Sequence, residues 1–142
     1  MCGRNFEYFS EDPLIAGSFG SAIVKASQSM GLCNCVKHFV CNERETDKLE
    51  SDSRVSERAL RELYLAPFET VITEAHPVAV MSSYNIVNGV ASSENYSLLV
   101  NILRREWGFE GVVTGDWNNN KDAVREINGG NGIREPYTAC DI

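Results

Sequence analysis

The sequence predicts an α/β fold in which short parallel strands alternate with helices. Apolar runs of strand length are separated by segments with helical spacing, in the order helix, strand, helix, strand, helix, strand, helix. Strands separated in this way indicate a parallel sheet with right-handed crossover connections. With 142 residues, 43% hydrophobic and 23% charged, the chain has the length and composition of one globular domain.

The first three elements are a helix, a strand and a second helix. Apolar residues spaced three and four apart predict a helix over residues 13–31, and the short apolar run CVKHFVC predicts a strand over 35–41. A polar loop follows over 42–52. The strongest helical pattern covers 53–75, and Pro67 within it is expected to kink or split the helix.

The second half of the chain repeats this alternation. The segment PVAVMSSYN predicts a strand over residues 77–85, and VNGVAS after it predicts a turn or loop. A helix is predicted over 93–107, a third strand over 111–117 and a short helix over 120–128. The tail from residue 129 has the composition of a loop, with room for one last strand.

Two arrangements of the sheet fit this order, an open doubly wound sheet and a barrel. An open sheet that binds a nucleotide needs a glycine-rich turn after a strand, whereas GSFGSA falls inside a helical pattern. Each predicted strand ends in polar or aromatic residues, and barrel enzymes carry their sites at such ends. These residues are Lys37-His38, Tyr84-Asn85 and Asp116-Trp117. Because a complete barrel takes about 250 residues, the sequence predicts part of a TIM-type (β/α)8 barrel.

Charge and composition argue against several classes of function. A net charge of -7 without a basic cluster disfavours a nucleic-acid partner. No apolar stretch approaches the roughly 18 residues of a membrane span, and no signal-peptide pattern opens the chain. The five cysteines are odd in number and lack C-x-x-C spacing. They favour reduced thiols over a disulfide framework or a zinc site, and lean towards a cytoplasmic location.

Taken one at a time, the polar residues near the strand ends are ambiguous. Asp116 fits a helix cap as well as a catalytic carboxylate. His38, next to Lys37 on a strand, is more often a structural residue than a catalytic one. Arg4 could pair with a neighbouring glutamate on the surface, which contributes little to stability.

Taken together, five ordered motifs resemble the barrel domain of family 3 glycoside hydrolases. The motifs are GRNFEYFSEDPLIAG, VKHFVCNERET, DSRVSERALRELYLAPFE, AVMSSYNIVNGVASSEN and LRREWGFEGVVTGDW. The likeness is to the β-glucosidase branch, which also holds β-xylosidases, and it runs from Gly3 to about Pro136. The branch that cleaves N-acetylglucosamine is disfavoured, because VKHFVCNERET lacks the second histidine of that branch.

The resemblance implies roles for seven residues. Asp116 matches the catalytic nucleophile, which forms a covalent glycosyl-enzyme in a retaining reaction. The positions that match the sugar-binding residues are Arg4, Lys37, His38, Met81, Tyr84 and Trp117. Their charged donors would hold the hydroxyls of a β-linked oligosaccharide or glycoside. The implied chemistry needs neither a metal nor an organic cofactor.

The resemblance also implies that residues 1–142 form an incomplete barrel domain, the later half of the family's N-terminal domain. The family's early strands and its C-terminal α/β domain, which carries the general acid/base, have no counterpart in the sequence. Gly132 and Glu135 replace an acidic residue and a methionine of the family pattern, and Gly115 stands where serine is common. The alternative hypothesis is a non-catalytic half-barrel that binds carbohydrate or forms homo-oligomers through its open sheet edges.

Side-chain alternation adds a geometric expectation at β-strand 35–41. In a regular strand Lys37 and His38 point to opposite faces, yet the resemblance places both against one sugar. We therefore expect a bulge, a strained peptide or the end of the strand near His38. An unbroken regular strand through Cys41 would contradict this expectation.

Overall fold

A computed structural model describes residues 3–119 and 121–136. Its strands, in chain order, are β1 (Cys35–Phe39), β2 (Asp52–Ser53), β3 (Ala79–Ser82), β4 (Ile86–Val87), β5 (Val90–Ala91) and β6 (Val112–Thr114). The central sheet has the order β1-β3-β6, and both pairings are parallel. A parallel bridge between Thr114 and Ile133 extends this sheet beyond β6. The predicted parallel α/β fold is confirmed.

Helical segments precede β1, separate the strands of the central sheet and follow β6. They are α1 (Pro13–Ser29), α2 (Glu57–Ala59), α3 (Ala66–Ala75) and α4 (Ala123–Gly129), with π-type segments Leu60–Leu65 and Ser97–Glu106 and 3-10 turns Asn5–Glu7 and Ser92–Glu94. Asp12 is the N-cap of α1, because its carboxylate accepts hydrogen bonds from the backbone N–H groups of Leu14 and Ile15.

The core lies between the central sheet and the helices. Val36, Val80 and Val113 are paired across the three strands and face this core. Phe39 is fully buried beyond them and packs edge-on against Phe68 and Trp107, with ring centroids 5.1 and 6.1 Å away. The geometry is favourable for aromatic pairs. One face of the sheet is therefore covered by helices, and the carboxyl ends of its strands are left for a site.

The strands are shorter than the sequence predicts. β1 ends at Phe39 rather than at residue 41, and its register against β3 shifts between Val36 and Phe39. The Lys37–His38 and Phe39–Val40 peptides are cis, and Cys41 has a φ of 64°. The expected departure from a regular strand near His38 is confirmed. β3 and β6 are also shorter than predicted, because β3 ends at Ser82 and β6 covers only Val112–Thr114.

The long helix predicted over 53–75 begins later and crosses Pro67 without a break. Ser56 caps its first turn, because its hydroxyl accepts from the backbone N–H of Ala59. The backbone changes from π-type to α-type bonding at Ala66, so Pro67 lies in the first turn of α3. A missing N–H is tolerated at that position. Instead of the predicted kink or split, the structure shows only this change of helix type.

Three smaller elements also differ from expectation. The predicted turn at VNGVAS is a β4–β5 hairpin whose central residues, Asn88 and Gly89, both have positive φ, as a two-residue hairpin turn requires. The helix predicted over 93–107 is the π-helix Ser97–Glu106. The helix predicted over 120–128 is α4, capped by Asp122, and residue 120 lies outside the described residues.

The outer face of α1 bears on association with other protein chains. The outer face of α1 exposes large apolar side chains, namely Leu14, Ile15, Phe19 and Ile23. Such a face is typical of an association surface, and the predicted homo-oligomer through open sheet edges stays a prediction.

Cys33, Cys35 and Cys41 are free thiols, while the predictions for Cys2 and Cys140 lie outside the described residues. No helix within 3–119 or 121–136 has the length and apolar content needed to cross a membrane.

Replacement of Leu103 by alanine tests the position of the core. Leu103 is 0% exposed and Leu14 is 72% exposed, so the same Leu→Ala change should have very different effects. We expect Leu103→Ala to lower the free energy of unfolding by about 2–5 kcal/mol, and Leu14→Ala to change it by less than about 0.5 kcal/mol. Urea titration followed by circular dichroism measures both, and equal losses would place the core elsewhere.

Candidate active site

The carboxyl ends of the three parallel strands bring distant polar residues together. His38 comes from β1, Tyr84 follows β3, and Asp116 follows β6. In parallel strands these ends lie at one edge of the sheet, where α/β barrels carry their sites. The predicted site residues Arg4, His38, Tyr84 and Asp116 form a connected cluster there.

The Asp116 carboxylate is the most enclosed charged group of this cluster, with the residue only 8% exposed. Its Oδ1 accepts a hydrogen bond of 2.7 Å from the backbone N–H of Trp117. Its Oδ2 lies 3.3 Å from Nε2 of His38, and within the described residues it has no hydrogen-bond partner. One oxygen is thus held by the backbone, and the other is buried beside the His38 ring.

His38 is a neutral ring between a cation and an anion. Burial lowers its pKa below the usual value; the Asp116 carboxylate opposes this shift, and Arg4 adds to it. Nη1 of Arg4 lies 3.4 Å from Nε2 of His38, and Arg4 also forms an ion pair with Glu7. The Nε2 atom of His38 therefore lies between the Arg4 guanidinium and the Asp116 carboxylate.

Tyr84 connects the end of β3 to the residues after β6. Its hydroxyl donates a 2.7 Å hydrogen bond to the backbone carbonyl of Trp117. Burial, together with the charge of the nearby Asp116 carboxylate, raises the pKa of Tyr84 to about 12. The phenol consequently keeps its proton and serves as a donor beside Asp116.

The other three predicted residues border the cluster. Lys37 is exposed and lies within electrostatic range of His38 and Glu7. Met81 is half-buried and stands opposite Thr114 in the β3–β6 pairing. The Trp117 side chain is 56% exposed, although its backbone contacts both Asp116 and Tyr84.

Buried hydroxyl and amide groups hold the irregular end of β1, and the sequence analysis missed them. Ser92 donates 2.6 Å to the carbonyl of Phe39, and Ser83 donates 2.9 Å to that of Val40. The Asn85 amide donates 3.2 Å to the same Val40 carbonyl. These donors replace the ladder bonds that the irregular strand gives up. The signal in the sequence is the run of Ser and Asn after an apolar strand.

Comparison with known proteins identifies the chain. The family described as "Glycosyl hydrolase family 3 N terminal domain" matches residues 1–134. This chain belongs to glycoside hydrolase family 3. Its relatives include Beta-glucosidase A of Butyrivibrio fibrisolvens, 50% identical over 94% of this chain and 16% of the relative. Another is the Exo-alpha-(1->6)-L-arabinopyranosidase of Bifidobacterium longum, 45% identical over 98% of this chain and 18% of the relative.

Solved structures agree with this family assignment. The β-glucosidase 3B of Thermotoga neapolitana in complex with glucose matches with a TM-score of 0.95 and 47% identity, over 100% of this chain and 20% of that protein. The β-glucosidase of Kluyveromyces marxianus in complex with glucose has a TM-score of 0.95 and 45% identity, over 98% and 17%. The chain therefore spans less than a quarter of the length of these family 3 proteins.

Close packing explains the presence of glycine at position 115, where serine is common in the family. A Cβ atom at this position would lie 3.0 Å from the amide nitrogen of Asn119 and 3.1 Å from that of Asn131. Such distances force the neighbouring groups to move. The glycine thus leaves room for two buried amides directly before Asp116.

A buried ion pair fixes the segment after Asp116, and sequence reasoning missed it. Glu126 is 0% exposed; its Oε1 accepts 2.6 Å from Asn119, and its Oε2 lies 2.7 Å from Nε of Arg134. Arg134 also donates 3.0 Å to the carbonyl of Lys121. Nothing in the sequence marks a glutamate on a short polar helix as completely buried, because its partner arginine comes from a separate segment.

The two departures from the family pattern near residue 135 have definite places in the structure. The backbone N–H of Gly132 donates 2.8 Å to the carbonyl of Val113, so this segment follows β6. Glu135 accepts 3.3 Å from the hydroxyl of Thr114, and its carbonyl accepts 2.8 Å from the N–H of Asn118. Both residues therefore support the Asp116 segment. Within 3–119 and 121–136, no group of three metal-ligating side chains is gathered.

Replacement of His38 by glutamine tests the neutral imidazole. Since the folded-state pKa lies below the unfolded value of about 6.5, the unfolded chain takes up the proton first as the pH falls. Folding stability should therefore fall below about pH 6.5, with a contribution from His38 of up to about 1.4 kcal/mol per pH unit. His38→Gln should remove that contribution and leave the behaviour above pH 7 unchanged. Urea titrations across this range measure it, and identical slopes in both proteins would exclude the assignment.

Proposed function

We propose that this chain provides the nucleophile and part of the sugar-binding site of a retaining family 3 glycosidase that hydrolyses O-glycosyl bonds of β-glucoside-type substrates. The observation that carries the proposal is the buried Asp116 carboxylate, whose Oδ1 is held by the N–H of Trp117 while Oδ2 has no hydrogen-bond partner within the described residues. A nucleophile needs this arrangement, because a fixed carboxylate with one unbonded oxygen approaches the reacting carbon without reorganisation.

In the first step Oδ2 of Asp116 attacks the anomeric carbon. A carbon–oxygen ester bond forms, the glycosidic C–O bond breaks, and the bonding electrons leave with the aglycone oxygen. Water then attacks the same carbon, the ester bond breaks to regenerate the carboxylate, and the proton that the water loses balances the charge of the departed aglycone oxygen, which takes up a proton from solvent. Two displacements at one carbon retain the β configuration.

The residues around Asp116 support a sugar in this position. Arg4 and Lys37 supply charged donors, which bind hydroxyls more strongly than neutral donors do. His38 lies beside them, and its buried Nδ1 atom has no hydrogen-bond partner within the described residues. Met81 and Trp117 offer apolar surface next to these donors, as the C–H faces of a pyranose require.

Comparison with relatives guides the choice of glycone. Several relatives at 42–50% identity are named β-glucosidases, and a β-glucoside is therefore the substrate we propose first. The arabinopyranosidase of Bifidobacterium longum is 45% identical to this chain, so an L-arabinopyranoside is the second candidate. A panel of aryl glycosides of both sugars distinguishes them.

The acid/base step is the part of the reaction that we do not assign to these residues. The family resemblance places no general acid among positions 1–142. We therefore propose that residues 1–142, taken by themselves, cleave alkyl glycosides about 10² to 10⁴-fold more slowly than a site with general acid assistance. Glycosides whose leaving group needs no protonation should be affected least.

Covalent trapping tests the proposal directly. A 2-deoxy-2-fluoro-β-glucoside with a dinitrophenolate leaving group should leave a sugar ester on Asp116, detected by peptide mass mapping, since its departure requires no acid. Asp116→Asn should abolish the adduct. Asp122→Asn is the matched control: Asp122 caps α4 by accepting from the N–H of Arg125, and asparagine caps equally well, so labelling should persist. No adduct on the wild-type chain would instead favour the non-catalytic half-barrel.

A further inference from the structure

We propose that the polar segment of residues 42–49, here called the bracing loop, positions three parts of the site at once, with Lys48 as its positioning residue. The proposal rests on the proposed function, because the parts in question carry Arg4, Tyr84 and Asp116. The sequence predicts only a loop for this segment, and none of its residues belongs to the sugar-binding set.

The first contact joins the bracing loop to Tyr84. Nζ of Lys48 lies 4.4 Å from the centroid of the Tyr84 ring and 3.1 Å from Oε2 of Glu45. Both charged side chains are partly sheltered from solvent, and a cation against an aromatic face is more strongly attracted when water is partly excluded. Glu45 is held in turn by the amide of Asn42, 3.4 Å away. The ammonium group therefore has a defined place on the ring.

Tyr84 transmits this constraint to Asp116. Its hydroxyl donates 2.7 Å to the carbonyl of Trp117, whose N–H holds Oδ1 of Asp116. A tilt of the Tyr84 ring would move the donor away from that carbonyl and loosen the peptide that fixes the carboxylate. Lys48 thus acts on the nucleophile through Tyr84 and the Trp117 backbone.

The second contact joins the bracing loop to the segment that carries Arg4. The N–H of Gly3 donates 3.4 Å to the carbonyl of Glu43. A Cβ atom on Gly3 would lie 3.0 Å from Cγ of Glu45, so the two segments are in close contact. Glu45 therefore packs against the Arg4 segment and also binds Lys48, and it couples the positions of Arg4 and Tyr84.

The third contact joins the bracing loop to the segment after Asp116. Nζ of Lys121 donates 2.6 Å to the carbonyl of Leu49, and Lys121 follows Trp117 by four residues. The loop is therefore attached to the segments before β1, after β3 and after β6. Segments from three positions in the chain keep their spacing only while this loop holds its conformation.

The test compares Lys48→Met, which keeps the apolar stem and removes the charge, with Lys48→Arg, which keeps the charge and its attraction to the ring. Lys25→Met is the control, because Lys25 also forms an ion pair with a glutamate, Glu74, at 3.3 Å on the exposed surface. The structural readout is acrylamide quenching of tryptophan fluorescence. Trp117 is 56% exposed and Trp107 is 7% exposed, so the accessible signal comes from Trp117.

We expect Lys48→Met to raise the quenching constant roughly two-fold, because the loosened Trp117 segment becomes more mobile. It should also slow fluorosugar labelling of Asp116 roughly 3- to 10-fold. Lys48→Arg and Lys25→Met should leave both values near wild type. Unchanged quenching in Lys48→Met, or equal changes in Lys48→Met and Lys48→Arg, would overturn the proposal. If wild type takes no label, the proposed function fails, and the quenching series still decides this inference.

A double-mutant cycle separates positioning from a general loss of stability. If Lys48 acts through the ring, Lys48→Met should have no further effect on quenching in a Tyr84→Leu background. An undiminished effect there would overturn the proposal. Where Lys48→Met does not fold, Glu45→Gln removes the anion that holds the lysine and should raise quenching in the same direction.

Discussion

The irregular end of β1 is the constraint on which the site depends. Between Val36 and Phe39 the register of the strand with β3 shifts, and the Val40 carbonyl beyond that point is bonded by side chains. Buried carbonyls without partners are costly, and Ser83, Asn85 and Ser92 supply the missing donors. The irregular strand and the buried polar residues therefore require each other. A hydrophobic replacement of those donors would leave the strand end unsatisfied.

The electrostatics of the site follow from this geometry. His38 leaves the strand alternation, approaches Asp116 and contacts Arg4. Burial keeps the imidazole neutral, so the Asp116 carboxylate faces a ring that does not neutralise it. The Trp117 N–H provides one hydrogen bond to Oδ1, while Oδ2 has no partner in the part of the chain that the structure describes. An ionised carboxylate with limited hydrogen bonding is well suited to attack an electrophilic carbon.

The element order and most of the strand positions could be predicted from the sequence, since apolar spacing is a local property. The ends of the elements could not, because residues such as Ser83 and Asn85 bond to carbonyls more than 40 positions away. The resemblance to family 3 named seven site residues. It did not reveal the Glu126–Arg134 pair or the Lys48–Tyr84 contact, whose members have ordinary surface composition in the sequence and acquire their setting only by packing.

The sequence by itself determined the alternation of helices and strands, the parallel sheet and the family, because these depend on residue type and spacing along the chain. It also identified Asp116 as the carboxylate after a buried strand. Only the tertiary structure decided which of its oxygens is held, that His38 lies between Arg4 and Asp116, and which segments brace the site. Those properties depend on distances between atoms from separate segments, and hydrogen bonds and burial are set by such distances rather than by neighbours in the chain.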